Sequence, residues 1–552
     1  MSLWPIPTRT ENSTWRQAAS PCRSTKDSPD GPTVGNGTGV PLMSGSRRGR
    51  LSGRSRIRDV IGEQPPWQQP RMRFDPLRAV SDDELESIHL ASLRVLSETG
   101  IDFLDDTARR QLADAGCDVS DNRVRFDPEL VQHLIATAPA EFTLHAPNPD
   151  RDLHIGGDVI TYTSVASPPF VTGLGRDRRD GNRDDYRELL KLGQVLNVVH
   201  TVAGYPVEPM DLHPSVRHLH ATHDMLTLSD KVPFVYSLSR QRNLDAIEMT
   251  RLARGVDDHT MSAQPSLYSV INASTPLRYD TVMLHGIQEM SARNQCIVIT
   301  PFTLAGAMAP VTVVGALVLQ NAEALAGIAY TQVVRPGAPV IYGGFTSNVD
   351  MRSGAPAFGT PEYWKACLIG GQLARRYDLP YRSSNVNASN SVDSQSATES
   401  TIAVWGAVMG GVNLLLHGTG WLEGGLLTSF EKFVIDADLL NMVTAMLQPV
   451  TIDDAALAVE AIAEVGPAGH FFGTQHTQDR YATEHFQPLV SKWSNFEMWD
   501  EEGRVESHHR AEALARTLID AHVEPSMAPE RRAGIDEFLS RRVAEGGVET
   551  DY

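Results

Sequence analysis

Eight short runs rich in β-branched and aromatic residues alternate with helical segments, and this alternation restricts the fold more than any other feature of the sequence. The runs lie at 159–162, 198–203, 234–237, 267–271, 296–300, 340–342, 381–384 and 412–416. Strands that alternate with helices indicate a parallel sheet, and eight of each is the number in a (β/α)8 barrel. An open doubly wound sheet is the alternative, but no G-x-G-x-x-G motif follows the first run.

The segments outside these runs predict four regions in the 552-residue chain. Residues 1–72 lack periodicity and are rich in Ser, Gly, Pro and Arg, which is typical of a disordered basic arm. Residues 73–150 form an α-rich region whose first helix begins at the capping-box pair Ser81 and Glu84. The barrel occupies 151–450, and a C-terminal extension occupies 451–552.

The charge distribution excludes several classes of protein. The first 73 residues contain 12 Lys and Arg against 5 Asp and Glu, so the rest of the chain is more acidic than the net charge of −19 indicates. Such an acidic body disfavours nucleic acid as a partner. The sequence contains no run of 18 uninterrupted apolar residues, so it predicts no transmembrane helix. The four cysteines form no C-x-x-C pair, which fits a reducing cytoplasm.

Two common barrel chemistries fit the sequence poorly. A Schiff-base enzyme needs a lysine at a strand end, but the lysines from Lys191 onward fall on predicted helices or, for Lys231, before a strand. A metal hydrolase typically has His-x-His on its first strand, where this chain has Thr161-Tyr162-Thr163. A metal site is left open only for Glu208, His417 and Glu423, and the prediction is that no metal is bound.

Aromatic and neutral polar residues predominate just past the predicted strands. The aromatic ones are Tyr205, Tyr268, Phe302, Tyr342, Phe345 and Trp421. Aromatic walls hold a quaternary ammonium by cation–π attraction, at about 0.5 to 2 kcal/mol per ring. The same rings are also suited to filling the layers of a barrel core, so this pattern alone does not decide between a binding site and packing.

Several longer segments resemble the trimethylamine:corrinoid methyltransferase family. The resemblance rests on 86–100 (Glu-Ser-Ile-His through Glu-Thr-Gly), 310–323, 343–354 (Gly-Gly-Phe-Thr-Ser-Asn-Val-Asp-Met-Arg-Ser-Gly), 359–363 (Gly-Thr-Pro-Glu-Tyr) and 469–477. It extends from the arginine-rich stretch near residue 47 to about residue 540. Each segment is weak alone, but together they are specific.

The resemblance implies a (β/α)8 barrel that moves a methyl group from a methylated amine to the Co(I) of a corrinoid. The cobalamin is carried by a separate corrinoid protein that docks over the barrel mouth, and a homo-oligomer is expected. Archaeal members that act on trimethylamine carry a pyrrolysine near the end of the seventh strand, where this chain has Asn385-Val386-Asn387-Ala388-Ser389. This departure favours a quaternary amine such as glycine betaine, whose neutral tertiary amine leaves without activation.

On this hypothesis three aromatic residues, Tyr342, Phe345 and Trp421, form the ammonium cage. Asn385 and Asn387 form the polar wall where pyrrolysine would otherwise lie. His417 contacts the substrate carboxylate or the corrinoid.

Two carboxylates complete the predicted site. Asp350 and Glu362 flank the loop after the sixth strand and could compensate the cation. They are equally suited to capping a helix that begins at Thr360-Pro361-Glu362.

The alternative function is a non-catalytic barrel protein that binds methylated amines.

Overall fold

The computed structural model describes residues 64–549, which include a ring of eight parallel strands. The strands are β1 (Thr161–Ser164), β2 (Thr201–Val202), β3 (Val232–Pro233), β4 (Tyr268–Ile271), β5 (Cys296–Ile299), β6 (Val340–Gly343), β7 (Tyr381–Ser384) and β8 (Leu414–Thr419). Each strand pairs in parallel with its sequence neighbours, and β8 returns to pair with β1. The predicted barrel is confirmed.

The ring closes between β3 and β4 through a minimal contact. Phe234 forms a single parallel bridge with Tyr268, and the backbone N–H of Val235 donates to the Tyr268 carbonyl at 3.0 Å. The third strand was predicted at 234–237, but it lies two residues earlier and ends at Pro233. Phe234 and Val235 make this contact, and the residues after Val235 leave the sheet and turn into the barrel mouth.

A helix follows each strand and covers the outside of the barrel. The helices are α1 (Arg183–Val195), α2 (Pro214–Leu228), α3 (Arg240–Arg254), α4 (Thr281–Ala292), α5 (Val313–Val334), α6 (Pro361–Arg376), α7 (Ser394–Met409) and α8 (Phe430–Met446). By length and composition α5 could cross a membrane, but 78% of its apolar window is buried within the protein. That burial is typical of a core helix in a folded domain.

Smaller elements flank the barrel on the N-terminal side. Helices Asp82–Arg94, Asp106–Asp114 and Pro128–Ile135 lie close to short strands at Ile101–Phe103, Asp118–Ser120 and Arg123–Arg125. Ser81 and Glu84 form the predicted capping box. Packing against the barrel begins before the predicted end of the arm, because Trp67 contacts His200 with 5.7 Å between ring centroids. The rest of the predicted arm, residues 1–63, lies outside the described part of the chain.

The C-terminal extension returns to the barrel. Its helices are Asp454–Leu457, Val459–Val465, Gln475–Arg480, Phe496–Glu501, Ser507–Asp520 and Pro529–Ala544. The last of these packs on α2 and α3, where Ile535 and Phe538 join a buried cluster with Leu219 and Met249. Asp536 also accepts a 2.6 Å hydrogen bond from the His223 ring.

A buried lysine holds the end of α1 in place. The ammonium of Lys231 donates to the carbonyls of Gly193 at 2.7 Å, Leu196 at 3.1 Å and Val199 at 2.5 Å. Burial lowers the pKa of Lys231 to about 7, because the charged ammonium loses its hydration. The three hydrogen bonds offset part of this cost.

We expect Lys231→Met to lower the free energy of unfolding by about 3 kcal/mol, because it removes the ammonium that donates to three carbonyls. Denaturant unfolding of the purified protein measures the change. Lys365→Met is the matched control, since Lys365 is exposed on α6 and its loss should cost under about 0.5 kcal/mol. Equal stability of the two variants would contradict a structural role for Lys231.

Candidate active site

A cavity of about 470 Å³ opens at the mouth of the barrel, where the carboxyl ends of the strands meet. Its lining includes Ser167, Tyr205, Glu208, Phe234, Tyr236, Asn272, Thr300, Phe302, Phe345, Arg382, His417 and Trp421. Leu238 and Leu426 form part of its rim and are 39% and 53% exposed, so the cavity communicates with solvent.

Two groups of aromatic rings form the walls of this cavity. On one side Tyr205 and Tyr236 lie 4.6 Å apart between ring centroids, and Phe234 lies 5.4 Å from Tyr236. On the other side Phe302 and Phe345 lie 4.8 Å apart. Burial raises the pKa of Tyr205 and of Tyr236, so their phenols stay neutral at physiological pH.

Trp421 continues the second wall from the β8 loop. Its ring lies 6.3 Å from Phe345 and 4.1 Å from His417, measured between centroids. The indole also passes close over Gly425, whose φ is +99° and where a Cβ would lie only 2.6 Å from the ring. The position therefore requires glycine for both backbone conformation and space.

His417 lies on β8 in an unusual backbone conformation. Its φ is +55°, in the left-handed region that residues other than glycine rarely adopt. Its Nδ1 lies 3.1 Å from the Ser384 hydroxyl. Burial, together with the nearby Arg382 guanidinium, holds the pKa of His417 well below its usual value. The imidazole is therefore neutral and provides no positive charge for a substrate carboxylate.

Arg382 lies on β7 with its guanidinium in the cavity lining, and the sequence analysis assigned it no role. Its neighbours Tyr381 and Ser383 face Cys367 on α6, so the alternation of a strand directs Arg382 into the barrel. The signal in the sequence was a charged residue within a barrel strand, because such residues are almost never fully buried unless paired.

Three of the predicted site residues are buried but do not line the cavity. Tyr342 points into the helical layer, where its hydroxyl donates to the Asn321 side chain at 2.9 Å. The Asn385 side chain donates to the Gly418 carbonyl at 3.0 Å. Asn387 accepts a 3.2 Å hydrogen bond from Ser400 on α7. These contacts hold the loops that surround the site in place, and we leave all three residues out of the proposed substrate contacts.

The two predicted carboxylates also lie away from the cavity. Asp350 is exposed and accepts hydrogen bonds from the Ser353 hydroxyl and backbone, at 2.7 and 3.1 Å. Glu362 is half-buried in the first turn of α6, whose N-cap is Thr360. Glu362 thus occupies the helix-entry position given as its alternative role, whereas Asp350 stabilises its own turn.

The residues considered for a metal site do not come together. Glu208 pairs with Arg217 at 2.5 Å, and Glu423 pairs with Arg178 at 3.0 Å. Across residues 64–549 there is no group of three or more His, Cys, Asp or Glu side chains that could hold a metal ion. Of the three residues, Glu208 and His417 line the cavity.

The fold and site define a (β/α)8 barrel protein with an aromatic cavity of a size suited to a small organic cation. A family model described as trimethylamine methyltransferase matches residues 46–547, and the chain belongs to this family. The resemblance drawn from the sequence motifs is therefore confirmed.

Named relatives agree with this assignment. The chain is 34% identical to the glycine betaine methyltransferase of Desulfitobacterium hafniense, over 85% of this chain and 98% of that protein. A trimethylamine methyltransferase from another strain of that species is 26% identical, over 83% and 92% of the two chains. The proline betaine:corrinoid methyltransferase of Eubacterium limosum is 26% identical, over 74% and 85%.

The lowered pKa of His417 predicts that its imidazole takes up no proton between about pH 5.5 and 8. A histidine with its usual pKa would become charged as the pH falls through about 6.5 and would place a second cation beside Arg382. NMR titration of the imidazole signals across this range measures the protonation, and the variant His417→Asn assigns the signal of His417, since asparagine tolerates positive φ. A change in that signal centred near pH 6.5 would contradict a neutral imidazole.

Proposed function

We propose that this chain transfers a methyl group from a small quaternary amine, such as glycine betaine, to the Co(I) of a corrinoid carried by a separate protein. The observation that carries the proposal is the cavity at the barrel mouth, walled by neutral aromatic rings. The names of the relatives support the chemistry, because they include two betaine methyltransferases.

The reaction requires little acid–base chemistry from the protein. When a methyl group leaves a quaternary ammonium, the bonding electrons stay on nitrogen and a neutral tertiary amine departs, so no proton is needed. The task of the site is to hold the cation and direct one methyl outward. Tyr205, Tyr236 and Trp421 supply aromatic surface for the ammonium and keep water away from it.

The corrinoid supplies a Co(I) nucleophile that accepts the methyl group. The rim of the cavity suits the face of a macrocycle, because Leu238 and Leu426 are exposed apolar side chains at the opening. We assign these two leucines to the contact with the corrinoid or its carrier protein.

The proposal includes a compartment. The described cysteines Cys117, Cys296 and Cys367 are buried free thiols, which suits a reducing cytoplasm.

The proposal also includes a homo-oligomer. Large apolar side chains are exposed along one stretch of the C-terminal extension and the end of α8: Met446, Val450, Ile452, Leu457, Val459, Ile462, Phe471, Phe472, Trp493, Phe496 and Met498. Exposed apolar surface of this extent is typical of a protein–protein interface. Light scattering during size-exclusion chromatography measures the mass, and a strictly monomeric protein would contradict this part.

The direct test is an anaerobic assay in which the protein is added to Co(I) cobalamin, or to a cognate corrinoid protein, with trimethylamine, glycine betaine, carnitine or proline betaine. Conversion of the Co(I) visible spectrum to that of methyl-Co(III) with a quaternary amine would establish the reaction and identify the donor. No change with any of the donors in the presence of a cognate corrinoid protein would favour a barrel that binds amines without catalysis.

Trp421→Ala should weaken the binding of glycine betaine by about 5- to 30-fold, which corresponds to one cation–π contact of about 1 to 2 kcal/mol. Calorimetric titration measures the affinity, and thermal unfolding checks that the barrel remains folded. Phe74→Ala is the matched control, because Phe74 is 51% exposed and does not line the cavity. Unchanged affinity in the Trp421 variant, or loss of folding together with binding, would contradict the cage.

A further inference from the structure

The Arg382 side chain is a buried cation without a carboxylate partner. The residue is 1% exposed, and no Asp or Glu among residues 64–549 forms an ion pair with it. The guanidinium donates one hydrogen bond, to the Gly344 carbonyl at 3.2 Å, and lies 5.0 Å from the centre of the Phe345 ring. Its Nε has no hydrogen-bond partner in the described part of the chain. Burial lowers the pKa of Arg382 to about 10, so the group stays charged at physiological pH.

A buried charged side chain in a native protein is nearly always paired, with protein, water or a ligand. Arg382 is part of the cavity lining and has no carboxylate partner in the described part of the chain, which indicates an anionic ligand group in the cavity.

The opposite side of the cavity has the complementary character. Tyr205 and Tyr236 present ring surface there, and the Glu208 carboxylate lies in the same lining. Tyr236 follows β3 and Arg382 lies on β7, and strands four apart face each other across an eight-stranded ring. The Glu208 carboxylate is paired with Arg217, so the cavity has a neutral aromatic side that faces a cationic side.

We infer that Arg382 binds the carboxylate of a zwitterionic betaine whose trimethylammonium group lies against Tyr205 and Tyr236. The inference rests on the proposed function and deepens it, because it restricts the substrate class to quaternary amines that carry a carboxylate. Arg382 takes the role in carboxylate binding that the sequence analysis offered to the neutral His417.

This arrangement selects against amines without an acid group. Choline has the same trimethylammonium group as glycine betaine but carries a hydroxyl in place of the carboxylate. When choline binds, it would cover the Arg382 guanidinium without providing a negatively charged partner. A buried, unpaired charge is more unfavourable than the loss of one neutral hydrogen bond. Trimethylamine would leave the same charge uncompensated.

The test compares the binding of glycine betaine and choline to the wild-type protein and to Arg382→Met by calorimetric titration without any corrinoid. In the wild type we expect glycine betaine to bind about 100-fold more tightly than choline. In Arg382→Met the affinity for glycine betaine should fall to that of choline, while the affinity for choline does not decrease. Arg382→Lys should recover part of the preference, because the charge remains without the bidentate geometry.

Arg110→Met is the matched control, since Arg110 is exposed on the helix Asp106–Asp114 and does not line the cavity. Circular dichroism and thermal unfolding establish that each variant is folded. Equal affinity of the wild type for the two ligands would overturn the inference, and so would a folded Arg382→Met that keeps the preference for glycine betaine.

The same variants separate this inference from the proposed function. If choline is demethylated by Co(I) cobalamin as fast as glycine betaine, the reaction stands and the role of Arg382 is wrong. If glycine betaine binds in an Arg382-dependent way but no methyl transfer occurs with a cognate corrinoid protein, the carboxylate site stands and the proposed reaction is wrong.

Discussion

The parallel hydrogen bonding that closes eight strands into a ring is the constraint on which the rest of the structure depends. It directs all eight carboxyl ends to one mouth and places β3 opposite β7. Side chains more than 140 residues apart in sequence, such as Tyr236 and Arg382, consequently line the same cavity. The closure between β3 and β4 is short, because β3 ends at Pro233, and this releases the aromatic segment that follows into the mouth.

The charge of Arg382 links the energetics of the fold to function. A guanidinium buried without a counter-ion costs several kcal/mol relative to water. The Gly344 carbonyl and the Phe345 ring offset only part of that cost. A substrate that carries a carboxylate supplies the missing counter-ion. Its binding removes the cost of the unpaired guanidinium, and this gain increases the affinity for a betaine. The neighbouring imidazole of His417 stays neutral because burial and this same charge lower its pKa.

Most of the fold could be predicted from the sequence, because the alternation of strand and helix is a local pattern repeated eight times. The third strand lies earlier than predicted because its run of β-branched and aromatic residues continues to Tyr236, whereas regular pairing ends at Pro233 and only a single bridge follows, at Phe234. The site was harder to predict. Phe345, Trp421 and His417 were expected in the cavity and do line it. The sequence could not separate Tyr342 from these three residues. A shift of one residue in the register of a strand turns a side chain from the barrel interior to the helices.

Asp350 and Glu362 illustrate a second limit. Their carboxylates stand near a strand end in the sequence, but Asp350 makes hydrogen bonds within its own turn and Glu362 lies in the first turn of α6, where the helix dipole favours a negative charge. Arg382 was not among the predicted site residues, because these lie just past the strands and Arg382 lies within one. A charged residue at the centre of a predicted barrel strand is itself a strong indication of function, since only a specific need keeps it there.

A crystal structure of the protein with bound glycine betaine, determined without corrinoid, tests the central claim most directly. The account predicts the carboxylate at hydrogen-bond distance, about 2.7 to 3.0 Å, from the Arg382 guanidinium, with the trimethylammonium group against Tyr205 and Tyr236. A betaine bound in the reverse orientation, or bound outside the barrel mouth with the Arg382 guanidinium still unpaired, would contradict it.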